Sequence, residues 1–428
     1  MRKSIRPVAA AFAAAVLSVC ASARTLVHCG TLIDGIADTP KKEMTVVIDG
    51  ERIVAVESGY TAAAAGDKVI DLTHATVTPG WIDCHVHLDS QLDPKAFTEQ
   101  FFLNPGDYAL RSAYYAKKTL LAGFTTVRNV GDNANSTLAL KKAIAHGWAI
   151  GPRIYTAGGA IGTTGGHADP TDGFSDEVMH QLTSVNVVDG PDAARRAVRQ
   201  HYKEGADLIK IMASAGVLSI EKSADNPQMD MDELQAVVTT AHEYGLKVAV
   251  HAHGAEGIRR AVIAGVDSIE HGTYLNDEDI ALMKEHGTYL VPTLSAGRFV
   301  MEKAKVPGFM PPLVVPKALS VGAKMSTTFR HAYEAGVKIA LGTDQGVAPH
   351  GDNAMEFVYM VEAGMAPMAA LKAGTIEAAK LIGDEKEFGS VEAGKYADLV
   401  AVTGDPIADI KLVMKPVFVM KAGTVYKE

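Results

Sequence analysis

Short apolar runs alternate with longer amphipathic stretches through most of the chain. Apolar runs bounded by glycine, proline or polar residues are typical of buried strands, and apolar positions three and four residues apart are typical of helices. We predict eight buried strands, at 77–88, 124–132, 152–158, 207–214, 247–254, 267–272, 288–295 and 337–345. Helical patterns such as DAARRAVRQHYKEG and MDELQAVVTTAHEYG separate several of them. Eight strand–helix units predict an α/β fold, most simply a (β/α)8 TIM barrel, with a doubly wound sheet as the alternative.

The two ends of the chain have a different pattern, in which apolar and polar residues alternate and turns are frequent. VVIDGERIVAV indicates two strands joined by a tight turn at Asp49-Gly50. Similar strands are predicted near the other end, in YADLVAVTGDP and LVMKPVFVMKAGTVYKE. We therefore predict a small β-sandwich domain built from residues 24–78 and 384–428, with the barrel spanning residues 79–383.

Residues 1–23 have the pattern of a secretory signal peptide. Three basic residues precede an apolar stretch, and Ala21-Ser22-Ala23 matches the small residues of a cleavage site. Cys20 is an alternative lipoprotein acceptor, but the preceding Val19 is larger than the residue expected there. Cleavage after residue 23 predicts a periplasmic or secreted protein.

Composition and charge exclude two classes of partner. The chain has 41 Lys and Arg against 50 Asp and Glu, and without residues 1–23 the basic count falls to 38. An acidic chain of this kind lacks the basic face expected of a nucleic-acid-binding protein. No apolar run of about 18 residues occurs after residue 23, so we expect no membrane partner. Export permits a disulfide, but we interpret Cys29 and Cys84 as free thiols.

Two pairs of histidines stand at the ends of predicted strands. WIDCHVH ends in His85 and His87, and KVAVHAH ends in His251 and His253. Side chains two residues apart in a strand point to the same face. In a (β/α)8 barrel the carboxyl ends of all strands meet at one face, where the chemistry lies. The four imidazoles are therefore expected to converge.

Three other strands carry an ionisable group near the same end. These are Lys210 in DLIKIMAS, His271 in DSIEHG and Asp344 in LGTDQG. A single histidine at a strand end is more often structural than functional, but five of eight strands carry such a group. Neutral imidazoles are good ligands for Zn²⁺. The set therefore predicts a metal site.

This set of residues resembles that of the amidohydrolase superfamily. The flanking phrases TPGWIDCHVH, AGVDSIEHGT, LGTDQG and GSVEAGKYADLVAV agree with that resemblance. The phrases TTGGHADP, DLIKIMASAG and VAVHAHG are most similar to those of prolidase-like dipeptidases, especially those that release C-terminal arginine or lysine. The resemblance covers essentially the whole chain after residue 23.

The resemblance implies a binuclear zinc hydrolase that cleaves a small peptide substrate. It implies that two Zn²⁺ ions are bridged by hydroxide and by the carbamate (N6-carboxylysine) that Lys210 forms with CO₂. The implied metal ligands are His85, His87, Lys210, His251, His271 and Asp344. Asp344 is also expected to be catalytic, by taking a proton from the hydroxide.

Other residues are candidates for binding the substrate. We expect His253, beside a metal ligand, and His167, after the glycine-rich loop TAGGAIGTTGGH, to be catalytic or to contact the substrate. Weaker candidates for the substrate ends are Tyr274, His350, Asp352, Asn353 and Glu356. Asp352 and Glu356 follow the eighth strand, where an acidic cavity mouth would attract a cationic side chain.

Several alternatives stay open from the sequence. The same residues suit an Xaa-Pro dipeptidase, or a hydrolase of cyclic amides, lactones or phosphoesters. A deaminase or imidazolonepropionase is less favoured, because those relatives use one metal and need no bridging lysine. A non-catalytic binding protein is the alternative of a different class, and such proteins typically lose ligands. The oligomeric state is open, and a homo-oligomer is compatible with the sequence.

Overall fold

The computed structural model describes residues 23–179 and 184–428, which form an α/β fold. The predicted signal peptide lies outside the described residues except for Ala23, and it stays a prediction. The strands are β1 (Thr25–Leu32), β2 (Lys41–Asp49), β3 (Arg52–Ser58), β4 (Lys68–Pro79), β5 (Trp81–Val86), β6 (Phe124–Asn129), β7 (Arg153–Thr156), β8 (Leu208–Met212), β9 (Lys247–Ala252), β10 (Ser268–His271), β11 (Tyr289–Val291), β12 (Leu399–Thr403), β13 (Pro416–Lys421) and β14 (Thr424–Lys427).

Helices connect most of the central strands. The α-helices are α1 (Pro105–Leu121), α2 (Ser136–Ala145), α3 (Asp176–Met179), α4 (Pro191–Glu204), α5 (Met231–Glu243), α6 (Ala255–Ala264), α7 (Asp277–His286), α8 (Leu294–Lys303), α9 (Val314–Glu334), α10 (Met355–Glu362), α11 (Pro367–Ala373) and α12 (Ile376–Ile382). α4 and α6 end at Gly205 and Gly265, both with φ near +95°. Glycine adopts this left-handed conformation without a steric penalty, so it ends these helices as the sequence predicts. No described helix is both long and apolar enough to cross a membrane.

Strands from both ends of the chain form one seven-stranded mixed sheet. Its order is β14-β13-β12-β4-β1-β2-β3, so β4 joins the N-terminal and C-terminal strands. Asp49 pairs with Arg52 across the predicted hairpin turn, where Gly50 has a φ of 56°. Val27 and Phe418, from opposite ends of the chain, lie in the same apolar cluster. Among the described residues this is one sheet, and the two-layered sandwich and its domain boundaries stay predictions.

The central strands are all parallel to one another. β5, β6 and β7 form one sheet and β8 to β11 form another, each paired in chain order. Asp207 N donates to Thr156 O at 2.8 Å, which joins the segment before β8 to β7. This order of pairing places the carboxyl ends of β5, β8, β9 and β10 at one face.

The predicted eighth strand, 337–345, is not a regular strand in the structure, so its assignment was wrong in detail. Its backbone still bonds to both neighbours: Leu290 N donates to Lys338 O and Cys84 N donates to Leu341 O, each at 2.8 Å. A Cβ on Gly342 would lie 2.2 Å from Val291 Cγ1, and Asp344 has a φ of 59°. Close packing and this left-handed residue interrupt the extended run. The segment nevertheless links β11 to β5, whereas a doubly wound sheet has two free edges.

Candidate metal centre

The six predicted ligands converge on one cavity of about 210 Å³. It is lined by His85, His87, Lys210, His251, His271 and Asp344, and also by His167 and His253. Asp344 Oδ1 lies 3.3 Å from His87 Nε2 and 3.5 Å from His85 Nε2. The rings of His251 and His271 lie 4.6 Å apart between centroids. The strand-end argument therefore places these side chains correctly relative to one another.

Two of the converging residues have a backbone conformation that non-glycine residues rarely adopt. His271 has a φ of 72° and Asp344 a φ of 59°. Left-handed backbone at a non-glycine residue costs about 1–3 kcal/mol and persists where the surrounding structure enforces it. Both residues stand where a strand segment turns into its following loop, so the turn itself directs their side chains into the cavity.

Hydrogen bonds fix which nitrogen each imidazole presents. His87 Nδ1 donates to Gly131 O at 2.9 Å, and His271 Nδ1 lies 2.7 Å from Thr293 Oγ1. His251 instead uses Nε2, which donates to Ala215 O at 3.1 Å. A neutral imidazole that donates from one nitrogen keeps a lone pair on the other. His87 and His271 therefore present Nε2, and His251 presents Nδ1.

A buried ion pair that the sequence reasoning missed orients His85. Glu270 Oε2 accepts from His85 Nδ1 at 2.8 Å, and its Oε1 accepts from Arg128 Nη2 at 2.7 Å. Arg128 Nε also donates to Cys84 O at 2.6 Å. Burial by itself raises the pKa of Glu270, but Arg128 and His85 hold it at about 2. The sequence did contain a sign of this ion pair, because the buried strands FTTVRN and SIEH each carry one charged residue inside them.

The electrostatics of the cavity suit divalent metal ions. Burial lowers the pKa of Lys210 to about 8 and holds those of His251 and His271 well below the usual histidine value. These histidines are therefore neutral and free to coordinate at neutral pH. Asp344 Oδ1 is buried and lies within 3.5 Å of His85 Nε2 and His87 Nε2. Imidazoles around a buried carboxylate oxygen are a donor set that fits zinc.

His253 lies closer to the metal-ligand candidates than a pure substrate contact requires. Its ring stacks on His271 at 4.8 Å, and Thr273 Oγ1 lies 2.7 Å from its Nδ1. The ligand atoms of His251, His253 and His271 lie within 4.8 Å of one another. The position of His253 therefore suits metal coordination as well as the predicted contact with the substrate.

His167 reaches the cavity from the loop after β7. Its ring stacks on His251 with 4.4 Å between centroids. His167 Nδ1 lies 2.7 Å from Ser219 Oγ, and its backbone N donates to Gln228 Oε1 at 3.0 Å. Burial lowers the pKa of His167 to about 4. A neutral imidazole at this position is available to hydrogen-bond a substrate, and the substrate role of His167 stays a prediction.

The five weaker candidates for the substrate ends do not line this cavity, contrary to the sequence interpretation. Tyr274 directs its hydroxyl to Ser320 Oγ at 3.0 Å. Asn353 is buried and donates to Asp83 Oδ2 at 2.8 Å. This hydrogen bond holds the loop in place and leaves the amide unable to bind a substrate in the cavity. Asp352 lines a separate cavity that includes Arg298.

The other two candidates are held by other parts of the fold. Glu356 is fully buried, where it accepts from Leu294 N and Ser295 N, each at 2.8 Å. His350 Nε2 donates to Ser90 O at 2.9 Å. Proximity in sequence to Asp344 was misleading, because Val347 is the last residue of this loop that lines the cavity.

Part of the lining of the cavity is apolar. We call its five residues from α8 and α9 the helix wall; they are Ala296, Gly297, Val300, Val321 and Met325. We call the part of the lining with His85, His87, His251 and His271 the histidine wall. A second cavity, of about 520 Å³, shares His87, His167, Leu218 and Val347 with the first. Asp169 and Asp172 line that second cavity.

Comparison with known proteins identifies the family. The family model described as the Amidohydrolase family matches residues 76–426, which is most of the chain. The chain belongs to the amidohydrolase family. This confirms the resemblance drawn from the histidine, lysine and aspartate motifs. Its relatives are named as hydrolases, so this amidohydrolase is a metal-dependent hydrolase rather than a non-catalytic binding protein.

Similar proteins extend over nearly the whole amidohydrolase chain. Ochratoxinase from Aspergillus niger is 31% identical over 423 residues, covering 94% of this chain and 86% of that protein. The crystal structure of a Xaa-Pro dipeptidase with bound methionine in its active site is 48% identical, with a TM-score of 0.91. That of a prolidase complexed with N-methylphosphonate-L-proline is 33% identical, with a TM-score of 0.86. Both structures match over 95% of this chain and 100% of their own.

Proposed function

We propose that the protein is a binuclear zinc dipeptidase. The observation that carries this proposal is the convergence of four histidines, Lys210 and Asp344 around one cavity. Similarity to a Xaa-Pro dipeptidase and a prolidase supports a small peptide substrate. We also interpret the ring of parallel segments as a (β/α)8 barrel and the terminal sheet as a β-sandwich domain.

Lys210 is proposed to bridge the two ions as a carbamate. A lysine must be neutral to add CO₂ through its amine, and burial that lowers its pKa to about 8 makes that form accessible. Lys210 is 1% exposed and lines the same cavity as the histidines. As an ordinary ammonium it would repel two dications, whereas a carbamate supplies two anionic oxygens. When bound, the metals would activate a water at neutral pH and polarise the scissile carbonyl.

The protein's own groups supply positioning and proton transfer. Asp344 accepts a proton from the attacking water and delivers it to the leaving amine. His87 and His251 are held in their tautomers by carbonyl acceptors, and His271 is oriented by Thr293 Oγ1. His167 and His253 donate hydrogen bonds to the substrate carbonyl or to its α-carboxylate.

A C-terminal arginine or lysine is the finer substrate proposal. The acidic cavity mouth predicted from Asp352 and Glu356 does not support it, because neither residue lines the cavity. Asp169 and Asp172 instead line the adjoining cavity that His167 shares. Burial and the neighbouring Glu221 and Asp169 raise the pKa of Asp172, although Lys317 partly opposes them. A cationic side chain would relieve the repulsion among these carboxylates.

A second candidate is a dipeptidase for apolar or prolyl C-terminal residues. The specific observation is the helix wall, because Val300, Val321 and Met325 line the same cavity as the histidines. Burying an apolar side chain there is favourable, whereas a guanidinium or ammonium against it loses hydration. The two candidates therefore differ in which cavity receives the C-terminal side chain.

The test is hydrolysis of dipeptides by zinc-loaded protein of measured metal content. One N-terminal residue would be joined to Arg, Lys, Pro, Leu, Met and Glu, and kcat/KM compared. We expect about two zinc ions per chain and hydrolysis that requires a free α-carboxylate. A preference of more than about tenfold for Pro, Leu or Met over Arg and Lys selects the second candidate. No hydrolysis of any dipeptide, with both metals bound, would reject both.

Lys210 chemistry has a separate test. Metal-free protein would be reloaded with zinc in buffer stripped of CO₂ and in buffer with bicarbonate. We expect two ions to bind stoichiometrically only with bicarbonate, and a crystal structure to show extra density on Nζ. Equal zinc uptake in both buffers, with an unmodified amine, contradicts the carbamate.

We propose that the protein is periplasmic or secreted after cleavage of residues 1–23. The basic, apolar and small-residue regions of that segment support the proposal. Mass spectrometry of protein from its natural source should show Arg24 at the N-terminus. An intact Met1 on protein from the cytosolic fraction contradicts it.

A further inference from the structure

His167 is held over the cavity by a short neighbouring segment, residues 215–219. Ser219 Oγ lies 2.7 Å from His167 Nδ1. Gly216 lies directly beneath the ring, because a Cβ at that position would fall 2.1 Å from His167 Cε1 and Nδ1. The imidazole thus rests on glycine backbone, and its orientation depends on where the segment lies.

The segment is itself held by a buried lysine from another part of the fold. Lys317, near the start of α9, is 6% exposed. Its Nζ donates to Gly216 O at 2.9 Å and to Ser219 O at 2.6 Å. A buried ammonium must be matched by hydrogen bonds, and here both acceptors are carbonyls of the segment that supports His167. The charges of Glu221 and Asp172 also act on Lys317, and they oppose the burial that lowers its pKa.

Lys317 shares a helix face with two residues of the helix wall. Val321 and Met325 follow it at intervals of four residues, so the three side chains lie on one side of α9. Val321 and Met325 line the cavity. One helix face therefore supplies both the apolar wall and the anchor of the segment beneath His167.

We propose that Lys317 is a positioning residue for His167, acting through Gly216 and Ser219. This inference rests on the proposed function, because it assumes that His167 hydrogen-bonds the substrate. Lys317 holds the 215–219 segment against α9, Ser219 then fixes Nδ1 of the ring, and Nε2 is left to face the cavity.

Two variants test successive links of this chain of contacts. Lys317→Met keeps the length of the side chain and removes both donors, and Ser219→Ala removes the last hydrogen bond without altering the buried lysine. Lys324→Met, on an exposed position of the same helix, is the matched control. We expect kcat/KM for the best dipeptide to fall about 10- to 100-fold in the first two variants, the range typical of outer positioning groups, and to stay unchanged in the control.

A double-mutant cycle separates positioning from a general structural role. In a His167→Ala background, Lys317→Met should have little further effect on kcat/KM, because its target is gone. An additional loss equal to that seen in the wild-type background overturns the proposal. His251 also donates to Ala215 O in this segment, so zinc content is measured in every variant. A loss of zinc in Lys317→Met would assign its effect to His251 and likewise overturn the proposal.

A readout independent of activity distinguishes this inference from the proposed function. Exchange of the C2 hydrogen of each histidine ring would be followed by mass spectrometry in the zinc-loaded chain. We expect faster exchange at His167 in Lys317→Met and in Ser219→Ala, with His201 unchanged. His201 is buried, and its ring bonds to Ala157 O and Asn186 Oδ1 rather than to this segment. Unchanged exchange at His167 rejects the positioning role, whether or not the protein hydrolyses dipeptides.

Discussion

The two walls of the cavity are built by different forces. On the histidine wall the contacts that orient the rings are directional, because every ring has a hydrogen-bond partner. The partner of His85 is Glu270, which is itself part of a buried ion pair with Arg128. On the helix wall the contacts are apolar and the backbones are close. A Cβ on Gly297 would lie 2.3 Å from Met325 Sδ, and one on Gly322 would lie 2.5 Å from Gly297 O.

Because of this difference, we expect the histidine wall to determine the chemistry and the helix wall to determine substrate selectivity. Directional bonds hold the histidines to the small tolerances that metal coordination demands. Apolar packing tolerates changes of shape at modest cost, provided that volume is kept. We therefore expect changes on the histidine wall to affect all substrates alike, and changes on the helix wall to affect substrates according to their side chains.

The largest effect is expected from Asp344→Asn. The amide keeps the shape of the side chain but cannot take up a proton, so kcat should fall by about 10³-fold for every dipeptide. The thermal midpoint of the zinc-loaded protein should change little. Asp352→Asn, at an exposed position nearby in sequence, is the control and should be near normal. Turnover within tenfold of wild type would remove Asp344 from the mechanism.

A smaller effect is expected behind the histidine wall, from Glu270→Gln. The change removes the charge that pairs with Arg128 and weakens the hold on His85 Nδ1. Zinc affinity should fall about 10- to 100-fold, as measured by competition with a chelator. Glu243→Gln, on the exposed side of α5, is the matched control. Zinc affinity equal to that of the control would show that Glu270 serves the fold alone.

On the helix wall, Met325→Ala should change selectivity rather than activity as a whole. The lost contacts should lower kcat/KM for long apolar side chains by about tenfold relative to short ones. Zinc content should stay at the wild-type level, and denaturant unfolding would show how much stability is lost. An equal decrease for every substrate argues that the helix wall supports the fold without selecting the side chain.

The smallest effect concerns the buried carboxyl group that anchors the helix wall. Glu356 bonds to the first residues of α8, and burial raises its pKa from 4.5 to about 7 despite the donors Ser295 and Leu294. A raised folded-state pKa stabilises the protein below the unfolded value, and that contribution is lost as the pH rises through about 7.

Urea unfolding of wild type and Glu356→Gln at pH 5, 6, 7 and 8 measures this contribution. The wild type should lose stability relative to the variant as the pH rises, by about 1 kcal/mol or more. Glu362→Gln, on an exposed position of the same helix, is the control. Parallel pH profiles of wild type and Glu356→Gln would mean that Glu356 is already ionised at pH 5.

The same contrast explains what the sequence could predict. The histidine wall was accessible because strand ends have a period of two and place side chains by backbone geometry alone. His85, His87, Lys210 and His251 are placed in this way, whereas left-handed backbone at His271 and Asp344 directs those two side chains. The hairpin at Asp49-Gly50 and the glycines that end α4 and α6 were accessible from local conformational preferences.

The helix wall was not accessible, because it depends on how two helices pack. Gly297 and Gly322 look like breaks in a helical pattern, and only the structure shows that they permit close contact between α8 and α9. The loop after the eighth strand was misread for a related reason. Tertiary hydrogen bonds to Asp83 and Ser295 turn Asn353 and Glu356 away from the cavity, and no local pattern encodes those partners.

The pairing of β4 with β12 sets an order in which the chain can fold. Pro79 and Leu399 are register partners, although they are 320 positions apart. Contacts between such distant residues form slowly, because a long loop must close before they are made. As the chain is synthesised, β1 to β4 exist long before β12, and the hydrogen-bonding edge of β4 that β12 covers stays open. An open edge is a template for pairing with another chain. A truncation that removes β12 to β14 should therefore cause aggregation, although it removes no residue of the metal site.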